Sequence, residues 1–261
     1  MKKQWIGLIL AAVCVLSGCG RQQETEAKPE KQLVIGYSIY RPFMDHDENN
    51  NAQGIDADLA REACARMGYE PVFVQIKWED RQRVLDDHEV DCIWNGFSMT
   101  DTDGDYQWAG PYMESRHVVV VPADSQIESL SDLEGKTIGI RAEGQTEQIL
   151  LENEKTTHFL NLKDIYSFSN LQEVKAALLN GYCDGVCGKE PVWREMLKDR
   201  KGQFRFLEEK LGVTQLGVAF GKDADEELTV RLTETLDAMR QDKTTEKILE
   251  KYGLTDERTG E

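Results

Sequence analysis

The chain has 261 residues, enough for one large domain or two modest ones, each with its own core. With 40% hydrophobic and 30% charged residues it reads as globular, which excludes a disordered or fibrous chain. A net charge of −17 makes it a poor binder of nucleic acid or anionic lipid head groups, since both repel it.

The N-terminus reads as a processing signal. Lys2 and Lys3 precede "WIGLILAAVCVL", an apolar run too short to span a bilayer comfortably. The order Ser17-Gly18-Cys19 resembles a bacterial lipobox, which predicts a lipoprotein signal peptide over 1–18 and lipid (palmitate) on Cys19. The alternative is an ordinary secretory cut near Gly18. Either route places the mature protein outside the cytoplasm, and the lipobox adds a membrane anchor on the extracytoplasmic face. Residues 19–31 then form a polar, solvated tether. Loss of 1–18 removes two lysines and no acid, leaving 29 basic against 48 acidic residues and a charge of −19. Four cysteines remain besides Cys19: Cys64, Cys92, Cys183 and Cys187. An exported chain can oxidise them, yet each sits in an apolar context that suits a buried thiol. Cys183 and Cys187 lie four apart with no second His or Cys pair, so no metal site is expected.

"QLVIGYSIY" (32–40) has the residues of a strand, followed by a polar loop with a turn at 45–51. Residues 55–68 form a helix whose apolar face is Ile55, Leu59, Ala63 and Met67, ended by Gly68. A strand (70–78), a short helix (79–90) and a buried strand (91–99) follow. Strand-helix-strand-helix-strand implies parallel pairing with helices on the faces. The second stretch repeats the pattern: a strand at 117–122, a helix start and strand in 129–140, and helices in 144–154 and 170–181. A strand in "CDGVCG", a helix in "PVWREMLKD", a strand at 216–221 and a helical region at 224–253 complete it. Two α/β units, with extended runs 116–121 and 215–220 crossing between them, predict a hinged pair of lobes with a cleft.

"TDTDGD" (100–105) raises a metal question. A calcium loop counted from Asp101 needs Gly sixth and Glu twelfth, and those places hold Tyr106 and Tyr112. A solvated turn at the cleft rim or a ligand-facing loop remain. Trp94 and Trp108 suit core or wall packing, and Phe43 either stacks on ligand or packs beneath Tyr40. His46, His88, His117 and His158 pair with no Ser or Cys, so no catalytic set is visible.

"GYSIYRPFM", "GIDADLA", "VDCIWNGFSMT", "WAGPYMES", "LSDLEGKTIGI", "LLNGYCDGV" and "EKYG", in this order, resemble the amino-acid-binding extracytoplasmic solute-binding proteins of ABC importers, family 3. The resemblance runs from about Gln32 to Gly253. It implies an α/β fold of the type 2 periplasmic-binding kind, two lobes of mixed sheet flanked by helices and joined by two hinge strands. Lobe 1 would comprise 32–116 and 216–254, and lobe 2 117–215. It implies ligand contacts from Tyr40 (ring), Trp78 (wall), and Asn95, Gly96, Ser98 and Thr100 (carboxylate), with Thr146 opening a helix whose N-terminus attracts anions. Two family residues are missing. The Arg expected near Thr102 and Asp103 is absent, and Lys189 stands where an Asp should meet the ligand's amino group, beside Glu190. Arg116 or Arg141 offers a substitute cation, Glu190 a substitute anion, and Lys189 a grip on an anionic group.

The function this implies is lobe closure on a small polar, amino-acid-like solute, without cofactor or chemistry, by a monomer serving a membrane ABC permease. Two other readings stay open. One is a sensor lipoprotein that presents ligand to a separate receptor. The other is a dehydratase-like enzyme using Glu143 or Lys189 as acid or base.

Overall fold

The computed structural model describes residues 31–99, 106–142, 144–157 and 161–254. Cys19, Thr100, Thr102, the aspartates 101, 103 and 105, and Glu143 lie outside them.

The first α/β unit runs β1 (Lys31–Tyr37), the hairpin β2 (Asp45–His46) and β3 (Ala52–Gln53), α1 (Ile55–Met67), β4 (Tyr69–Gln75), α2 (Arg81–Asp86), β5 (Cys92–Ser98) and β6 (Tyr106–Pro122). The second runs β7 (Thr137–Arg141), α3 (Gln145–Thr157), β8 (Asp164–Phe168), α4 (Leu171–Leu179), β9 (Gly185–Lys189), α5 (Glu190–Met196) and β10 (Phe204–Gly221). Helices α6 (Glu226–Gln241) and α7 (Thr244–Glu250) close the described chain. The expected repeat is present: β1 pairs parallel with β4 and β5, and β7 pairs parallel with β8 and β9. Among the described residues, the eight longer strands share one mixed sheet in the order β4-β1-β5-β10-β6-β9-β7-β8.

Helix α1 forms as its periodicity predicts. Ile55, Leu59, Ala63 and Met67 are buried, and Gly68 ends the helix in the left-handed region at φ 72°, with its N–H on Ala65 O. Leu232, Leu236 and Met239 of α6 join the same core at the β1 end of the sheet. Burying each such side chain contributes roughly 1.5–3 kcal/mol. Separate clusters around Val119, Ile138 and Leu150, and around Val120, Val186 and Trp193, fill the β7 end. Val192 of α5 packs into the β1-end core, so the two ends touch through that helix. All four described cysteines are free and buried.

Several expected boundaries move. Strands β6 and β10 run 17 and 18 residues, far beyond the short runs expected at 117–122 and 216–221. Their extra lengths, "YQWAGPYMES" and "FRFLEEKLGVTQ", mix polar, Gly and Pro residues and carry no apolar signal. They become strands by pairing with one another from Tyr106–Gly221 to Pro122–Phe204. Strand β8 has no predicted counterpart because it is an edge strand with no fully buried residue. Trp78 falls in a 3-10 turn and not at a strand end. The C-terminal helical region breaks at Lys243, which sits at φ 64°.

Gly96 lies in β5 at φ 59°, and a Cβ there would fall 2.7 Å from the Phe43 ring. Gly96→Ala should therefore lower stability by roughly 1–3 kcal/mol, read from urea unfolding midpoints. An unchanged midpoint would show that Phe43 gives way freely.

Candidate functional site

In open sheets with parallel strands, ligands bind beyond the carboxyl ends of those strands. Here the carboxyl ends of β1, β5, β7 and β9 bring together Tyr40, Asn95, Gly96, Ser98, Arg141, Thr146 and Lys189. The contacts join both ends of the sheet.

Lys189 ends β9, yet its ammonium donates to Gly96 O of β5 at 2.5 Å. It lies 5.9 Å from the ring centroids of both Tyr40 and Phe43, within cation–π range. Only 8% of the residue is exposed. Burial pushes its pKa down from 10.5 to about 7, with nearby Arg141 adding to the fall and Asp56 opposing it. Asp56, near the start of α1, is fully buried. It accepts from Gly96 N at 2.5 Å and from the Tyr112 hydroxyl at 3.0 Å. Burial raises its pKa to about 7 against those bonds and the pull of Lys189. Both backbone polar groups of Gly96 are thus engaged by charged side chains.

Tyr40 stacks on Phe43 at 5.6 Å and 19°, so Phe43 takes the role of floor beneath it. Burial raises the Tyr40 hydroxyl to about 12, with Arg141 pulling the other way. Asn95 is spent on structure: its Oδ1 accepts from Ser38 N and its Nδ2 donates to Ser38 Oγ, each at 3.0 Å. Trp78 sits edge-on to Phe97 at 4.9 Å, in an aromatic group that includes Tyr106 and Trp108. Glu190 is clamped by Arg194 and lies 3.6 Å from Arg116. The two groups offered as substitute anion and cation therefore face each other. Arg141 is half-buried at the end of β7.

A chain of hydroxyls links the sheet ends. Ser98 Oγ meets Thr214 Oγ1 at 3.2 Å, which meets His117 Nε2 at 3.0 Å, and His117 Nδ1 meets Thr146 Oγ1 at 2.8 Å. Burial, with Lys189 nearby, lowers the His117 pKa to about 3, so the ring is neutral at ordinary pH. A neutral imidazole donates from one nitrogen and accepts at the other, which the two threonine hydroxyls can match.

Sequence reasoning missed Asp56, His117 and Thr214 as site residues. Asp56 had a signal: it lies four and seven residues before Ala60 and Ala63, on the apolar face of α1. Thr214 had none, because its stretch carries no strand pattern.

The depressed Lys189 pKa is a stability cost with a defined sign. The cost is absent above about pH 10.5, where the group is neutral folded or unfolded. It grows as pH falls and is complete below about 7. Lys189→Met should stabilise the protein near pH 7 by roughly 1–3 kcal/mol, and the gain should shrink toward pH 10. Urea midpoints at the two pH values test this, and a gain independent of pH would refute the titration of Lys189.

Residues 33–255 match the family described as bacterial extracellular solute-binding proteins, family 3. The arginine-binding extracellular protein ArtP of Bacillus subtilis (strain 168) is 26% identical over 256 residues, covering 96% of this chain and 98% of that protein. ABC transporter arginine-binding protein 1 of Escherichia coli (strain K12) is 29% identical, over 87% of this chain and 92% of its own. The crystal structure of Tv2483 bound to L-arginine superposes with a TM-score of 0.73 at 26% identity, covering 87% of this chain and 92% of that one. The match spans nearly all the described residues, and the fold is that of the type 2 periplasmic amino-acid-binding proteins. The chain belongs to the bacterial extracellular solute-binding proteins, family 3.

Proposed function

We propose that this protein is the solute receptor of an ABC importer. It traps a small polar, amino-acid-like solute at the carboxyl ends of β1, β5, β7 and β9 and delivers it to a membrane permease. The observation that carries this reading is the meeting of side chains from both ends of the sheet at one place, with Lys189 on Gly96 and His117 between Thr146 and Thr214. Among the described residues, only β6 and β10 pair between the stretches that hold β5 and β9. Residues 114–116 and 213–215 make that ribbon, and bending there opens and closes the two lobes. Lobe 1 comprises 32–116 and 216–254, and lobe 2 117–215. The Tyr40 ring covers the solute, and Ser98, Thr146 and the N-terminus of α3 supply hydrogen bonds to its polar groups. Cys19 carries lipid that holds the monomer at the extracytoplasmic membrane face.

Names of the relatives support a binding role over catalysis, since ArtP and the Escherichia coli protein are both named for binding. Closure needs only that the solute bind the closed form more tightly than the open one.

A thermal-shift screen of the unlipidated protein, paired with small-angle scattering, tests the reading. A solute at 100 times its Kd should stabilise by about 2.7 kcal/mol and shrink the radius of gyration. Tyr40→Ala should weaken that solute by about 5-fold, as loss of ring contact costs on the order of 1 kcal/mol. Turnover of the bound solute would instead favour an enzyme. Separately, Cys19→Ser should abolish incorporation of labelled fatty acid in the producing cell, and retained label would rule out Cys19 as the anchor.

A further inference from the structure

The charge balance of the site narrows the class of solute, an inference that rests on the solute-receptor reading. Lys189 and Arg141 end two neighbouring parallel strands, β9 and β7. Both lie close enough to the Tyr40 ring or hydroxyl to interact with it. Among the described residues, no carboxylate forms an ion pair with either. The acid next in sequence, Glu190, is held by Arg194 and Arg116. The nearby buried acid, Asp56, spends both oxygens on Gly96 N and Tyr112. An ammonium has three N–H donors, and Lys189 uses one, on Gly96 O. Helix α3 begins four residues after Arg141 and aims its N-terminal N–H groups at the same carboxyl end of the sheet. A buried cation with spare donors, a second cation beside it and a helix N-terminus together favour a negative group. They oppose a positive one, because like charges brought together out of water repel strongly.

We propose that the solute places a carboxylate on the Lys189 ammonium, with Arg141 as its second contact, and that solutes placing a cation there are rejected. The solute is net anionic, either an acidic amino acid or a small organic acid without an amino group. Lys189 is on this view a specificity-determining residue, and the Gly96 carbonyl holds its ammonium in place before the solute arrives. Tyr40 and Phe43 face the ammonium with their rings and make no ion pair with it, which leaves its remaining N–H donors available to the solute.

The test is titration calorimetry on the whole soluble chain with aspartate, glutamate, succinate, 2-oxoglutarate, arginine and lysine. At least one carboxylate solute should bind at least about 100-fold more tightly than arginine or lysine. Binding of aspartate or glutamate alone identifies an acidic amino acid, and binding of the two amino-free acids identifies an organic acid. Lys189→Met should weaken the bound carboxylate by about 10-fold or more, while Lys189→Arg should retain part of it. Thermal melts show whether each variant is folded. Preferential binding of arginine or lysine, or a Lys189→Met variant that is folded and binds the carboxylate unchanged, overturns this inference and leaves the receptor reading standing. Failure of the wild type to bind any of the four carboxylates also overturns the inference, and the receptor reading falls only if the thermal-shift screen finds no solute either.

Discussion

The antiparallel ladder between β6 and β10 is the constraint on which the rest depends. Strand β5 hangs from one end of β10 and β9 from the far end of β6, so each α/β unit enters the sheet through this pair. Register along the ladder decides which side chains of the two units can meet. Gly212 opposes His117 and Thr214 opposes Ser115, which sets the Thr214 hydroxyl within reach of the His117 ring. A slip of one residue would turn His117 to the other face and break the hydroxyl chain from Ser98 to Thr146. Contacts of such sequence separation are costly to assemble, and the repeated units, each with its own core, reduce that cost by folding locally.

Around this ladder the site concentrates charge in a place that water scarcely reaches. Asp56 and Lys189 bracket the Gly96 peptide, one on its N–H and one on its C=O. Burial presses both groups toward their neutral forms, and mutual attraction resists it. A buried, imperfectly paired arrangement of this kind costs stability and is retained most readily where it serves recognition. The surrounding hydrogen bonds make it rigid: Asn95 ties β5 to Ser38, and Phe43 seats both Tyr40 and Gly96.

Much of the architecture was legible in the residues. The period of α1, the runs of β1, β5 and β9, and the repeat of strand and helix follow from local apolar spacing. The candidate positions Tyr40, Ser98, Arg141, Thr146 and Lys189 fall by the carboxyl ends of the parallel strands β1, β5, β7 and β9, drawn from both ends of the sheet. What failed to show was whatever depends on pairing: most of β6 and β10, the edge strand β8, and the partner of each polar group. Asn95 and Glu190 read equally well as ligand contacts, and only packing revealed that Ser38 holds one and Arg116 and Arg194 the other.

By itself, then, the sequence determined the class of fold, the family and the chemical types available to the site, because apolar periodicity and motif order are local properties. The tertiary structure decided which charges are compensated. Asp56, His117 and Lys189 come from distant segments, and their electrostatics depend on distance and burial, quantities that no linear spacing encodes.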